Sequence, residues 1–276
     1  MKTKKPNKNL FFLIKKYLSI LNFSFREVVY YPQKLQSTVI IVPFRIMVLL
    51  AVYTYTFNYV GKTVNGINAS IAVWSIAIYY ILLFAQFRGI FKTINDEIKR
   101  GSIETQLNKP YNYLVYKFWE HLGKGLPSFI ISFVIVIPLL LFFTKGLPID
   151  LSIERLFASV ILIVGGSLVS AALYILISLP ALWIDDAQPF FWVVDKSILI
   201  FGGAYIPVAL LPQSFQNLAN LTPFGAPMFA TQMFNPSFID NWLTLVLIQL
   251  CWTIVLFAFV AFLFMKAKER LSVNGG

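Results

Sequence analysis

Residues 126–144 read LPSFIISFVIVIPLLLFFT, an uncharged run held between Lys124 and Lys145. As a helix rising 1.5 Å per residue it reaches about 29 Å, close to the ~30 Å of hydrocarbon in a bilayer. A helix that is apolar on every side has no face to offer to water, so the run reads as a membrane crossing. Working outward, the same test finds five more crossings, at 38–60, 68–90, 157–184, 190–211 and 242–265. Composition agrees: 58% of the 276 residues are hydrophobic, 13% are charged, and the mean hydropathy is +0.73. The expected fold class is an all-α membrane protein, one transmembrane domain over 1–276. The fifth crossing is the least regular, because Asp195 and Lys196 lie one turn inside its start, where the headgroup boundary tolerates an ion pair.

The charges orient the chain. With a cytoplasmic N-terminus and six crossings, 19 of the 23 lysines and arginines fall on the cytoplasmic side, against Lys62, Lys145 and Arg155 outside. That bias predicts cytoplasmic termini; the expected location is the plasma (inner) membrane. Arg45 lies inside the first crossing, where snorkelling to the cytoplasmic surface relieves it. The lysines at 2, 4, 5 and 8 precede an apolar run that Lys15 and Lys16 cut short, with no small-residue cleavage site after it, so this segment is expected to be retained.

Several function classes are excluded. A single Cys251 and a single His121 rule out a disulfide framework and imidazole-paired metal sites. Neither His-Glu-x-x-His nor Gly-x-Ser-x-Gly occurs, so no catalytic residue is expected. Gly61-Lys62-Thr63 imitates the end of a phosphate loop, but the first glycine of that pattern falls on Thr56. The net charge of +11 belongs to residues flanking apolar runs, as anchors facing anionic lipid do, and predicts no nucleic-acid partner.

Three segments lie outside the crossings. Over 9–31 the residues Leu10, Ile14, Leu18, Leu21, Phe25 and Val28 recur at helical spacing, with Lys15, Lys16, Asn22, Arg26 and Glu27 largely opposite; the pattern predicts an interfacial helix lying on the cytoplasmic leaflet, redirected by Pro32. Between the second and third crossings, Gly101 and Pro110 punctuate a patterned connection. A helix over 102–109, entered through Ser102, is expected between them, with Pro110 opening a following helix that carries Leu114, Val115, Phe118 and Leu122 on one side. So short a helix does not persist alone in water, and a docked partner protein is its natural support. Finally, 43 positions from 197 to 239 carry no charge, too long for one crossing; five prolines cut this run, predicting an external re-entrant segment over 213–238.

Taken in order, an amphipathic helix, six crossings, the punctuated segment Ile94-Asn95-Asp96-Glu97-Ile98, Gly101-Ser102-Ile103-Glu104 and Gln106-Leu107-Asn108-Lys109-Pro110, and the uncharged external run resemble an ABC-2 type ABC exporter permease. The punctuated segment looks like the viologen exporter-like subfamily, where one ATPase serves paired permeases. The resemblance implies that Gly101, Ser102, Ile103, Glu104, Gln106, Leu107, Asn108, Lys109 and Pro110 form a coupling helix seated in an ATPase subunit. It implies a dimer of such ATPases that binds ATP and Mg, with no cofactor in this chain. A second permease, identical or related, completes a substrate path at the interface. Gly165, Gly166 and Ser170, with Gly202 and Gly203, put small residues where helices of one chain, or two permeases, pack closely. Asp185, Asp186 and Asp195 gather near the turn between the fourth and fifth crossings, and Asp96, Glu97, Lys99 and Arg100 can pair along a helix or with the ATPase. The competing reading is a stand-alone ion-coupled carrier or channel, which needs ionisable groups at mid-membrane that the crossings offer only at Arg45.

Overall fold

A computed structural model describes residues 10–31, 33–61, 63–83, 87–184 and 186–274. They form ten α-helices: α1 (Leu10–Tyr30), α2 (Gln33–Val60), α3 (Ala69–Leu82), α4 (Arg88–Lys99), α5 (Ile103–Leu107), α6 (Tyr113–Thr144), α7 (Ile153–Ser178), α8 (Gln188–Phe201), α9 (Gln213–Leu221) and α10 (Phe238–Asn274). Among the described residues there is no strand. Pro32, Lys62 and Asp185, and the lysines before Leu10, lie outside the described residues.

Four helices are long and apolar enough to cross a membrane unaided: Thr38–Val60 within α2, Tyr113–Thr144, Ile153–Leu182 and Phe238–Ala267. The stretches expected as the second and fifth crossings are shorter. Both α3 and α8 hold 14 residues, about 21 Å of helix. In α3 every residue from Ile71 to Leu82 is buried; it is the central post of the bundle, apolar all round because protein surrounds it. Residues 88–90, expected to finish the second crossing, instead open α4. Gly202 ends α8, and Gly203 follows at φ +84°, a backbone state that side chains disfavour. The chain then makes a 3-10 turn at Val208–Leu210 rather than running on to 211 as one helix.

Lipid tails are as apolar as leucine, so helices in a bilayer associate through close backbone approach and hydrogen bonds rather than by escaping water. Around α7 both devices are visible. A Cβ at Gly166 would overlap the carbonyl of Pro227, and one at Gly165 would overlap the amide of Gln249 from α10. Gln249 is buried and donates through Nε2 to the carbonyls of Leu162 (3.0 Å) and Ala226 (2.7 Å). Ser170 accepts from the Phe87 amide at 3.3 Å, holding the start of α4 against α7. The small residues of α7 therefore meet partners within this chain.

The uncharged segment after α8 folds into the bundle. Residues 226–234 form a buried 3-10 helix (Ala226–Phe234), whose Phe234 packs on Trp74 of α3 with ring centroids 5.1 Å apart. Arg155, counted as an outside charge, is only 7% exposed. Its guanidinium donates to the carbonyls of Met233 and Asn235 and lies over the ring of Phe238. Trp252 Nε1 donates to the Leu221 carbonyl at the end of α9, 2.8 Å away.

Helix α1 does not stand alone. It runs along the first turns of α6 in the same direction, stacking Tyr17 on Trp119 at 6.2 Å. Gly123 lets the Leu21 carbonyl and Ser24 approach where any side chain would collide. Ile14 and Leu18, on the expected apolar face, are half exposed, while Ser24 and Val28 are buried. Arg45 is shared: its guanidinium lies 4.9 Å from the ring centre of Tyr80 on α3.

Candidate functional site: the α4–α5 elbow and its brace

The elbow forms where α4 stops. Gly101 takes φ +70° with no heavy atom near the position of a Cβ, so the residue is required for its backbone rather than for space. The chain then turns into α5, a helix of five residues. Ser102 was expected to cap α5, but its backbone is helical and its side chain makes no cap. The hydroxyl instead donates back to the Glu97 carbonyl at 3.3 Å, satisfying an orphan acceptor at the end of α4. Pro110 was expected in the first turn of α6; that helix starts at Tyr113 because Asn112 caps it, accepting from the Leu114 and Val115 amides at 3.1 and 3.2 Å.

The elbow has an inner and an outer face. Ile103 is 1% exposed and, with Leu107, joins the core that holds Ile90, Phe91 and Ile94. Gln106 is half-buried and accepts at Oε1 from Lys109 Nζ (2.8 Å) and Tyr111 Oη (3.0 Å). Glu104, Thr105, Asn108, Lys109 and Pro110 are exposed. Polar and charged side chains thus stand on a short helix whose opposite side is anchored.

What stiffens the elbow is a charged brace that sequence reasoning missed. Lys117, on α6, is 3% exposed; its ammonium lies 2.6 Å from Glu97 Oε1 and 3.2 Å from Glu120 Oε2. Tyr113 Oη donates to Glu97 Oε2 at 2.5 Å, and Lys124 reaches Glu120 at 2.7 Å and Glu27 of α1 at 3.9 Å. Lys16 of α1 donates to the Pro110 carbonyl at 3.2 Å and sits over the Tyr111 ring. Three helices are tied together at one end of the bundle. Of Asp96, Glu97, Lys99 and Arg100, two make longer links instead of pairing along the helix: Glu97 goes to α6, and Lys99 to Asp186 at 3.4 Å. His121 wedges between α6 and α4, its Nε2 3.2 Å from Thr93 Oγ1 and its Nδ1 2.9 Å from the Lys117 carbonyl.

The root of α4 carries a second link. Asp195 was expected beside Lys196 or within an acidic cluster; it is 4% exposed and bound bidentately by Arg88, with Nε to Oδ1 at 2.6 Å and Nη2 to Oδ2 at 2.9 Å. Tyr174 Oη adds a third donor at 3.0 Å. Lys196 instead lies over the Trp192 ring. Among the described residues no three His, Cys, Asp or Glu side chains converge as metal ligands do.

With this geometry in place the class is plain: a multi-pass helical membrane protein with an anchored helical elbow at one end. The ABC-2 type transporter family matches residues 24–234, and the chain belongs to that family. It is an integral membrane permease component of an ABC transporter, a family whose members work with an ABC ATPase and leave catalysis to that separate subunit. No curated protein matches the chain.

Proposed function

We propose that the chain is the transmembrane subunit of an ATP-driven exporter, in which α5 and its flanks, Gly101 to Pro110, seat in a cleft of a separate ATPase. The observation that carries this reading is the elbow itself. A five-residue helix cannot hold its shape through its own hydrogen bonds, yet Ile103 and Leu107 fasten it to the core while Glu104, Thr105, Asn108 and Lys109 face outward. A rigid polar tip on a braced lever suits a contact that transmits force. In this reading both termini are cytoplasmic, in an inner membrane, α3 and α8 complete six crossings with their neighbouring segments, and residues 213–238 re-enter from outside. ATP and Mg bind the ATPase pair. A second permease, identical or, as in viologen exporter-like systems, related, lies against the exposed aromatic face of α2, where Phe44, Tyr55 and Tyr59 are left uncovered. The substrate path runs between the two, and ATP-driven closure switches them between two packings.

Purification in mild detergent tests the reading. The intact chain should retain an ATPase subunit, and replacing residues 104–109 by a Gly/Ser linker should release it while the permease stays monodisperse. An ATPase that remains bound to the linker variant, or transport by the chain alone without nucleotide, overturns the proposal.

A further inference from the structure

Helix α8 touches the root of α4 at one end and the buried 3-10 helix at the other. At the α4 end, Phe191 and Asp195, one turn apart, form a single contact face. Phe191 stacks on Phe91 of α4 with centroids 4.9 Å apart and meets Tyr174 of α7 at 6.0 Å. Asp195 takes three hydrogen bonds, two from the Arg88 fork and one from Tyr174. At the far end Gly202 presses on Met228, whose Cβ and Cγ lie within 3 Å of where a Gly202 Cβ would sit, and the Gly202 carbonyl accepts from Thr231 Oγ1 at 3.4 Å. Between these ends Ile198 is buried and Leu199 packs on the core, while another side of the helix stays open. Phe190, Trp192, Val193 and Ile200 are exposed, and only Val194, Asp195 and Ile198 within α8 are buried.

We propose that the Arg88–Asp195 pair is the joint through which movement of the α4–α5 elbow is passed to α8, and through α8 to the 3-10 segment at Ala226–Phe234. The proposal rests on the ATPase-docking reading above. Arg88 is the first residue of α4 and so moves with the elbow. Its planar fork engages both carboxylate oxygens, which resists rotation as well as separation, as a point charge would not. Asp195 is buried, so letting go leaves a desolvated carboxylate with Tyr174 as its remaining donor, an expensive state that favours dragging the helix over breaking the pair. From Asp195 to Gly202 the helix rises about 10 Å, enough to carry a small rotation at the α4 end to Met228. Arg88 and Asp195 are positioning residues: neither is assigned contact with substrate or nucleotide.

The test uses the full chain with its ATPase in lipid nanodiscs, in a Cys251→Ser background, with a bimane fluorophore at Lys92→Cys on α4 or at Val193→Cys on α8. Emission is compared without nucleotide and after trapping with Mg-ATP and vanadate. Both labels should shift in the parent protein. In Asp195→Asn, which keeps shape and an acceptor for Tyr174, the Lys92 label should still respond and the Val193 label should lose its response. Arg88→Lys, charged but without the fork, should weaken the Val193 response, and Arg88→Asp with Asp195→Arg should restore part of it. Because Arg88 is partly exposed, Arg88→Gln gives the same reading should the Asp195 variants fail to fold. An undiminished Val193 response in Asp195→Asn or Arg88→Gln overturns the joint while leaving the ATPase reading intact. A Lys92 label silent in the parent protein overturns both.

Discussion

Removing the ammonium of Lys117 isolates the brace from the rest of the molecule. Lys117→Met keeps the length and most of the packing of the side chain but leaves two carboxylates without it. Glu120 retains Lys124 at 2.7 Å, so the loss falls on Glu97, left with the Tyr113 hydroxyl at 2.5 Å. Breaking one partner of a buried pair costs about 3–5 kcal/mol. Glu97 keeps 17% exposure and can recruit water, which places the cost near the lower end, about 3 kcal/mol. For a chain of this size that corresponds to a fall of roughly 6–12 °C in the unfolding midpoint. The decisive comparison is the double variant Glu97→Gln with Lys117→Met. There no charge is stranded, the amide still accepts from Tyr113, and more than half of the lost stability should return. The assay is thermal unfolding in detergent, followed by size-exclusion chromatography with tryptophan detection, on both single variants and the double. A neutral Lys117→Met, or a double variant whose loss is the sum of the singles, would refute the claim that Lys117 and Glu97 act as one unit fastening α4 to α6.

Three further outcomes follow from named contacts. Gly166→Ala forces a methyl into the Pro227 carbonyl and should cost about 1–3 kcal/mol by overpacking, lowering the same unfolding midpoint; a neutral result would show that the 3-10 segment yields easily. Arg155→Met strands the Met233 carbonyl and leaves that of Asn235 to the Phe238 amide alone; each lost bond to the charged donor is worth about 1.5–3 kcal/mol, and the change should raise amide exchange across residues 226–237 while leaving α4 and α5 protected. Gly101→Ala meets no neighbour but holds an αL-like backbone, a cost of about 1–2 kcal/mol; it should loosen exchange protection around Ser102 and Ile103 and lower the midpoint by roughly 2–8 °C.

The crossings were legible where a single residue type argument sufficed. Apolar runs of bilayer length in α2, α6, α7 and α10, uncharged except for Arg45 in α2, are helices because no other backbone satisfies its own hydrogen bonds in lipid. The break at Gly101 was legible too, since a glycine between two helical patterns marks a turn whatever surrounds it. What escaped depended on contacts remote in sequence. Arg88 and Asp195 are 107 residues apart, and the sequence offered Lys196 as the nearer cation. Glu97 and Lys117 lie on different helices, so helical spacing pointed Glu97 toward its own neighbours instead. The role of Ser102 turned on which of two adjacent helices its hydroxyl would serve. Gly123 and Gln249 carried no local signal, for a glycine in an apolar helix and a lone amide in a crossing show their purpose only once another backbone is beside them. The shortness of α3 is of the same kind: a helix inside the bundle need not match the bilayer.

Helix α6 has 32 residues, about 48 Å of rod, against a hydrocarbon layer of ~30 Å. The surplus, about 18 Å, is the part to which α1 and the elbow are fastened. On the proposed orientation it is a stalk that sets the standoff between bilayer and motor. Each residue added to it would lift the elbow by about 1.5 Å and swing it by about 100°. The stalk can therefore change length only in near-whole turns, and insertions of three or four residues should be tolerated where one or two are not.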